Sequence, residues 1–165
     1  MSSPDPHTPR ISPSFSIEGP LFNQSALCEP ILRALPEWFG IESAVVWYLH
    51  EINTLPTFLA RQAGEVLGFL SLKQHYPPSA EIIVMGVLPG AHRRGIGQAL
   101  LQQAQAWLVA QGVSYLQVKT LAPSHPDPGY ARTRAFYLAQ GFVPLEEFTE
   151  LWDKSNPCLL LVKKL

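Results

Sequence analysis

The sequence predicts an α/β (α+β) fold in which a mixed, mostly antiparallel sheet is flanked by helices. Short β-rich runs at 57–61, 66–73 and 80–88 are separated by turn residues, which is typical of an antiparallel meander. A helical pattern at 97–110 then lies between the run at 80–88 and another at 114–121. Because this is the order of a βαβ unit, those two strands are predicted to be parallel.

Composition limits the classes of protein to which the chain can belong. The 165 residues are 47% hydrophobic, which suits one domain with a sizeable core. A net charge of −1 argues against a general binder of nucleic acid or anionic membranes. The sequence shows no apolar run near the roughly 20 residues that span a bilayer and no apolar signal core. The use of cysteine in the chain suits a reducing compartment, and we expect a cytoplasmic protein. Cys28 and Cys158 have neither disulfide-framework nor metal-site spacing, and no metal site is predicted.

The remaining elements follow from periodicity and from residues that cap helices. Residues 1–13 are rich in Pro and Ser and predict a flexible tail, which leaves 14–165 as a single domain. Asn23 or Ser25 is a suitable N-cap, and Gly141 is a suitable residue at a helix C-terminus. The further predicted elements are a strand at 15–21, helices at 24–35, 42–52 and 130–140, and a final hairpin formed by 142–151 and 157–162.

The stretch at 87–100 joins a predicted strand to a predicted helix through a loop with a Gly-x-Gly and two arginines. The N-terminus of a helix presents unpaired N–H groups and the positive end of the helix dipole. Glycines let the backbone approach a bulky anion, and Arg93 and Arg94 add positive charge. The stretch therefore predicts a site for a phosphate-bearing ligand.

Two familiar nucleotide-binding motifs do not fit this stretch. The spacing from Gly90 to Gly95 matches the start of a P-loop, but Ile96 and Gly97 stand where Lys and Ser or Thr are required. The dinucleotide pattern G-x-G-x-x-G also fails, since Leu100 occupies the place of its third glycine. Nucleotide hydrolysis is therefore disfavoured.

Residues 92–97 resemble the signature Q/R-x-x-G-x-G/A of the GNAT superfamily of N-acetyltransferases, with His92 in place of the usual Gln or Arg. In that family the loop lies at a strand-to-helix turn and holds the pyrophosphate of acetyl-CoA. The resemblance implies a GNAT-like acyl-CoA N-acyltransferase fold with acetyl-CoA as the co-substrate. The cofactor-binding residues that it implies are Met85, Val87, His92, Arg93, Arg94, Gly95, Ile96, Gly97, Gln98, Tyr130 and Thr133.

Residues 130–142 resemble a second GNAT pattern, N-x-x-A-x-x-F/L-Y-x-x-x-G-F, with Tyr130 and Thr133 replacing the Asn and the Ala. The resemblance implies that Tyr137 lies near the acyl sulfur and protonates the departing CoA thiolate. A phenol has a normal pKa of about 10, so it is protonated at neutral pH and can donate. The alternative is a core tyrosine whose hydroxyl meets a polar partner at the rim. The buried stripe of this helix is predicted to be Ala131, Ala135 and Leu138.

Glu81 is the candidate general base, because it lies early in the strand that leads to the glycine-rich loop. Its carboxylate would take the amine proton directly or through a water, and the alternative is a solvated carboxylate at the strand end. Gly86, inside the same strand, indicates a bulge or a close approach of the backbone. In the resembled family this strand separates from its neighbour, contacts pantetheine and donates an N–H to the thioester oxygen, a contact that we assign to Val87.

Several other side chains have both a functional and a structural interpretation. Cys158 is a candidate acyl nucleophile, but its strand-like surroundings favour inert packing. His75 and His125 either line a substrate cleft or are simple loop residues, and Trp152 either walls an acceptor site or covers the core. Acidic residues near the C-terminus would attract a cationic acceptor or form a solvated face: Asp127, Glu146, Glu147, Glu150 and Asp153.

The two motifs together predict an N-acetyltransferase that moves the acetyl group of acetyl-CoA directly to a primary amine in a ternary complex. The alternatives are a non-catalytic acyl-CoA-binding or regulatory module, and an enzyme that uses a hydroxyl acceptor or another acyl group. The acceptor is expected to be a small-molecule or peptide amine, without nucleic acid or membrane as a partner. A homodimer formed through the C-terminal strands is compatible with what the family often does. The motifs do not encode the identity of the acceptor.

Overall fold

The structure is a computed structural model that describes residues 14–165. The flexible tail predicted for residues 1–13 lies outside the described residues. In chain order the elements are β1 (Ser16–Leu21), α1 (Ser25–Arg33), α2 (Glu42–Ile52), β2 (Thr57–Gln62), β3 (Glu65–Tyr76), β4 (Ser79–Val87), a short 3₁₀ turn (Pro89–Ala91), α3 (Ile96–Ala110), β5 (Tyr115–Leu121), α4 (Pro128–Ala139), β6 (Val143–Asp153) and β7 (Asn156–Lys164). The predicted order of helices and strands is confirmed, and β3 extends further than predicted.

Seven strands form one sheet in the order β1-β2-β3-β4-β5-β7-β6. Neighbouring strands are antiparallel except β4 and β5, which are parallel and joined by α3. The predicted mixed, mostly antiparallel sheet and its βαβ crossover are therefore confirmed. Within the described chain, no helix combines the length and the apolarity needed to cross a membrane.

The helices cover the two faces of the sheet with separate apolar clusters. β3 shows the division, because Leu70 belongs to the cluster under α3 and Phe69 to the cluster under α1 and α2. Burial of each large apolar side chain contributes about 1.5–3 kcal/mol. The helix side chains that carry this packing are Leu100, Leu101 and Leu108 from α3, and Ile31, Leu32, Val45 and Ile52 from α1 and α2.

β4 and β5 separate after a short paired segment. Their register runs only from Ser79 opposite Tyr115 to Ile82 opposite Val118. On the other side β4 stays paired with β3 as far as Val87, with a register shift that leaves one extra β4 residue between Ile82 and Val84. A bulge increases local twist and bends a strand, so β4 follows β3 and leaves β5. The result is a gap between two parallel strands.

The bulge and the close approach that Gly86 indicates occur at two different places. The register is regular at Gly86, which pairs with Phe69, and the shift lies at Ile83 instead. A Cβ at Gly86 would lie 3.1 Å from Leu35 Cδ1 and 3.3 Å from Ile31 Cγ2. Glycine is therefore needed here so that α1 and the segment after it can pack closely on β4.

The buried stripe predicted for α4 is wrong. Ala131 and Ala135 are exposed, and Leu138 is 49% exposed. The helix instead turns Tyr137 and Phe136 inward. Tyr137 and Phe136 remove more apolar surface from water than two alanines and a leucine would. This difference decides which side of the helix faces the sheet.

β6 lies at the edge of the sheet, and nearly all of its residues are exposed. A second chain could therefore reach this edge without unfolding any described element. Homodimerisation through the C-terminal strands stays a prediction.

Candidate active site

A cavity of about 620 Å³ opens where β4 and β5 have separated. This volume is in the range of roughly 300–1,000 Å³ that is typical of small-molecule sites. One wall is the N-terminus of α3, and α4 supplies another. A further part of the lining, which we call the aromatic region, consists of Phe39, Tyr48, Lys119, Thr120 and Trp152.

The N-terminus of α3 faces the cavity through Gly95, Ile96, Gly97 and Gln98. Gly95 has a φ of 78°, in the left-handed region that favours glycine, and no side chain caps this end of the helix. The N–H groups of the first turn therefore have no intrahelical acceptor, and the helix dipole adds a partial positive charge. This is the arrangement expected for a phosphate site. The side chain of Ile96 is buried in the core and so fixes the position of this end of the helix.

The two adjacent arginines of the loop point in different directions. Arg93 is exposed, has a φ of 61° and lines the cavity. Arg94 donates hydrogen bonds to Ser14 Oγ and Gln62 Oε1, each at 2.9 Å, and does not line the cavity. Arg93 is thus brought to the site, whereas the Arg94 side chain holds the loop against the segment before β1 and the end of β2. The predicted contact of Arg94 with the cofactor stays a prediction.

β4 presents main-chain donors to the gap. The N–H of Leu88 donates to the carbonyl of Leu67, and hydrogen-bonded pairs alternate with non-hydrogen-bonded pairs along an antiparallel ladder. The N–H groups of Val87 and Met85 therefore point away from β3 and into the space that β5 has left. Both residues line the cavity, so either N–H can donate to a carbonyl oxygen placed there.

His92, the departure from the resembled signature, is tied to the end of β4. Its Nε2–H donates to the carbonyl oxygen of Val87 at 2.7 Å. Its ring packs edge-to-face against Trp38, with the ring centroids 6.3 Å apart. His92 lines the cavity, and these contacts make it part of the wall that fixes the course of the backbone from β4 into the loop.

Tyr130 and Thr133 hold Trp38 against α4. The indole N–H of Trp38 donates to Thr133 Oγ1 at 3.0 Å, and the Tyr130 hydroxyl donates to the Trp38 carbonyl at 2.8 Å. Burial raises the pKa of Tyr130 to about 12, so its hydroxyl stays protonated as this contact requires. Both residues line the cavity, and they position the segment between α1 and α2. Their predicted contact with the cofactor stays a prediction.

Tyr137 is 4% exposed and lines the cavity from α4. Its ring packs edge-to-face against Phe136 and Phe142, with centroids 5.4 Å away in each case. Burial, with smaller contributions from Tyr48 and Tyr130, raises its pKa well above that of an ordinary phenol. The hydroxyl is therefore protonated at neutral pH and can donate a proton into the cavity, which is the chemistry that its predicted role needs.

Glu81 is buried, at 5% exposure, and lies behind the cavity wall instead of lining it. Its Oε1 is 3.0 Å from Lys119 Nζ, and its Oε2 is 2.6 Å from His75 Nε2 and accepts from Gln117 at 3.3 Å. The carboxylate is therefore not a solvated group at a strand end. Lys119 separates it from the cavity, so a proton from the cavity reaches it only through an intermediary.

The motifs do not identify Trp38, Phe39, Tyr48 and Lys119, all of which line the cavity. Three of them come from α2 or the segment before it, which carries no signature. Lys119 has a weak signal in the sequence, because it is the one charged residue of β5. It immediately follows Val118, the last β5 residue that pairs with β4.

The side chains with two interpretations also have definite positions. Cys158 is fully buried, and burial raises its pKa to about 11, so the structure favours inert packing over a nucleophile. Trp152 lines the cavity, whereas His75, His125 and the acidic residues at 127, 146, 147, 150 and 153 do not. Within residues 14–165, no three His, Cys, Asp or Glu side chains are grouped to hold a metal ion.

Comparison with solved structures shows the same fold in several acetyltransferases. A GNAT-family protein from Desulfovibrio desulfuricans superposes with a TM-score of 0.79 at 14% identity, covering 91% of this chain and 98% of that one. A GNAT-family acetyltransferase from Elizabethkingia anophelis, solved with acetyl-CoA bound, gives 0.68 at 16% identity, covering 93% and 100%. The ribosomal-protein-S18-alanine N-acetyltransferase from Escherichia coli gives 0.71 at 18% identity, covering 91% and 93%.

Sequence comparison gives the relationship directly. The chain is 32% identical over 108 residues to a mycothiol acetyltransferase from Beutenbergia cavernae, a match that covers 66% of this chain and 31% of the relative. The chain thus spans about a third of the length of that curated relative. The model of the acetyltransferase (GNAT) family matches residues 26–142, which include both motifs and every lining residue of the cavity except Trp152. This protein therefore belongs to the acetyltransferase (GNAT) family.

Proposed function

We propose that the protein transfers the acetyl group of acetyl-CoA directly to a primary amine within a ternary complex. The observation that supports this proposal is that the N-terminus of α3, Tyr137 and the aromatic region all line the same cavity. A thioester whose phosphates bind at α3 and an amine that enters by the aromatic region would meet in the same space. Within the described chain the lining includes neither Cys nor Ser, which supports direct transfer over an acyl-enzyme.

The residues around the cavity fit acetyl-CoA. The uncapped first turn of α3 and Arg93 suit the pyrophosphate. The gap-facing N–H groups of Met85 and Val87 suit an extended chain that carries amide and thioester oxygens. A Cβ at Gly97 would stand 3.5 Å from the Phe136 ring and 3.8 Å from Met85 Cε, so glycine keeps this passage open. The Elizabethkingia anophelis structure, with acetyl-CoA bound, has the same fold.

The chemistry follows from the positions of these groups. The amine nitrogen attacks the thioester carbon, and the Val87 N–H stabilises the negative charge that develops on the carbonyl oxygen. The C–S bond then breaks, and the Tyr137 hydroxyl gives its proton to the CoA thiolate. The proton that the amine loses passes through a water to the Glu81 carboxylate, because that carboxylate lies behind Lys119 and not on the cavity surface.

Calorimetric titration with acetyl-CoA, desulfo-CoA and ATP tests the ligand assignment. We expect saturable binding of both CoA compounds and none of ATP, because the loop lacks the Lys and Ser or Thr of a nucleotide-hydrolysing P-loop. Absence of CoA binding would refute the assignment of the loop. Release of the CoA thiol in the presence of a panel of amines then tests catalysis. Acetyl-CoA binding without turnover of any amine would support the non-catalytic acyl-CoA-binding alternative instead.

A further inference from the structure

The charges around the cavity are of one sign. In the part of the chain that the structure describes, the charged side chains of the lining are Arg93, Lys119 and Arg132, and no Asp or Glu lines it. Arg93 belongs to the loop before α3, and Arg132 lies over Trp38, with its guanidinium 5.9 Å from the ring centroid. Lys119 is the cation of the aromatic region. A polyamine or a strongly cationic peptide would therefore find no carboxylate among the lining side chains of the described chain.

Lys119 lies on the acceptor side of the sheet. Its neighbour Val118 belongs to the cluster under α3, so the Lys119 side chain points to the opposite face, where Tyr48 of α2 packs. Lys119 is also the first residue of β5 beyond the last pair with β4. Its ammonium therefore stands where the gap begins to open, close to the space in which the thioester and the amine would react.

The Lys119 ammonium has hydrogen-bonding capacity to spare. An ammonium carries three N–H donors, and one of them points at Glu81 Oε1, 3.0 Å away. The side chain is 32% exposed and lines the cavity, so the other donors are available to a ligand. Only one oxygen of Glu81 contacts Lys119, because the second oxygen is engaged by His75 and Gln117.

We propose, building on the proposed function, that Lys119 binds a carboxylate of the acceptor. The acceptor is then an amine that carries a carboxylate a few bonds away, together with an apolar or aromatic body that packs on Tyr48, Phe39 and Trp152. A hydrophobic amino acid has this chemistry.

Matched acceptors test the proposal by the ratio of their kcat/KM values. L-phenylalanine, L-phenylalaninamide and 2-phenylethylamine share one aromatic body and differ in the carboxylate, and spermidine represents a polycation. We expect L-phenylalanine to exceed 2-phenylethylamine and the amide by about tenfold or more, as a charge-assisted contact implies. Lys119→Met should bring this ratio close to one, and Lys119→Arg should restore most of it. Preference for 2-phenylethylamine or spermidine, or a ratio that Lys119→Met leaves unchanged, would overturn the proposal.

Lys73→Met is the matched control, because Lys73 is 3.7 Å from Glu51 and does not line the cavity. It should leave the ratio as in the unaltered protein. A binding measurement separates this proposal from the proposed function, since it needs no turnover. N-acetyl-L-phenylalanine should bind to the protein–CoA mixture at least tenfold more tightly than N-acetyl-2-phenylethylamine, and Lys119→Met should abolish the difference. Equal binding of the two probes would refute the carboxylate site even if acetylation is observed with other amines.

Discussion

The indole N–H of Trp38 donates a hydrogen bond to Thr133 Oγ1 at 3.0 Å, across 95 residues of sequence. This contact joins the segment between α1 and α2 to the helix that carries Tyr137. The Tyr130 hydroxyl reinforces it by donating to the carbonyl of the same tryptophan. The two positions at which α4 departs from the GNAT pattern are therefore the two that hold Trp38. The departures build a wall of the cavity that the family pattern does not specify.

Trp38→Phe should weaken acetyl-CoA binding, because loss of the hydrogen bond to Thr133 lets this wall of the cavity shift. A hydrogen bond of this kind contributes about 0.5–1.5 kcal/mol, so we expect the KM for acetyl-CoA to rise severalfold with a smaller change in kcat. Thr133 would keep its contact with the Gly129 carbonyl, which limits the loss of stability. Trp47→Phe is the control, because Trp47 is 50% exposed on α2 and does not line the cavity. Equal effects of the two changes on KM would contradict the prediction.

Arg93→Gln and Arg94→Gln should differ in effect although the two residues are adjacent. Arg93 lines the cavity and is free to meet a phosphate, so its loss should cost about 1.5–3 kcal/mol of acetyl-CoA affinity. Arg94 is engaged with Ser14 and Gln62, so its loss should lower the melting temperature more than the affinity. Calorimetry and thermal unfolding of both variants test this. A larger loss of affinity for Arg94→Gln would show that its side chain leaves Ser14 and Gln62 to bind the cofactor.

Gly97→Ala should separate stability from binding. Alanine is favoured over glycine in a helix by about 1 kcal/mol at most positions, and a Cβ here meets nothing closer than 3.5 Å. We therefore expect unchanged or slightly higher thermal stability and weaker acetyl-CoA binding, because the methyl group narrows the passage beside Phe136. Gly95→Ala should instead lower thermal stability more than acetyl-CoA affinity, since a φ of 78° strains any residue other than glycine. Tighter acetyl-CoA binding by Gly97→Ala would mean that the ligand does not pass this point.

Tyr137→Phe should lower kcat by about 10²-fold and leave acetyl-CoA affinity nearly unchanged. Burial raises the pKa of Tyr137 above the ordinary value, so the hydroxyl stays protonated up to and beyond about pH 10. The rate should therefore show no fall due to Tyr137 between neutral pH and that value. Tyr115→Phe, at a position 47% exposed on β5, is the control. An unchanged kcat for Tyr137→Phe would mean that Tyr137 only packs in the core and is not the general acid.

Glu81→Gln should lower kcat/KM if Glu81 receives the amine proton. The amide keeps the shape of the side chain and can still accept from Lys119, so the fold should be retained. Glu51→Gln provides a comparison, because Glu51 pairs with Lys73, which does not line the cavity, whereas Glu81 pairs with Lys119, which does. A kcat/KM that falls no further in Glu81→Gln than in Glu51→Gln would assign the deprotonation to another group.

The sequence specifies the strand–loop–helix unit well, because local rules govern it. The turn at Gly95 needs a left-handed residue, and Ile96 begins a stripe that repeats at helical spacing. Contacts between distant segments have no comparable local signal. Lys119 reaches the site only because β5 leaves β4 at Val118. The divergence of Arg93 and Arg94 likewise depends on Ser14 and Gln62, which are far away in the chain.

The buried face of α4 is a second feature that local sequence patterns do not predict. Ala131 and Leu138 have the spacing of a buried face, yet the helix turns Tyr137 inward. Periodicity alone does not rank two competing faces, and the larger aromatic area decides between them once the neighbouring Phe142 is in place. The match to the second GNAT pattern and the packing of α4 therefore depend on the same side chains.

The anchoring of Arg94 has a thermodynamic consequence for ligand binding. Its two hydrogen bonds hold the loop in a conformation that includes a residue with an unfavourable φ, Arg93. The backbone strain at Arg93 is therefore introduced when the protein folds, and acetyl-CoA does not have to impose it on binding. A preorganised loop of this kind loses little conformational entropy when the ligand arrives. Association should then be governed by diffusion and charge, with an on-rate that falls as ionic strength rises.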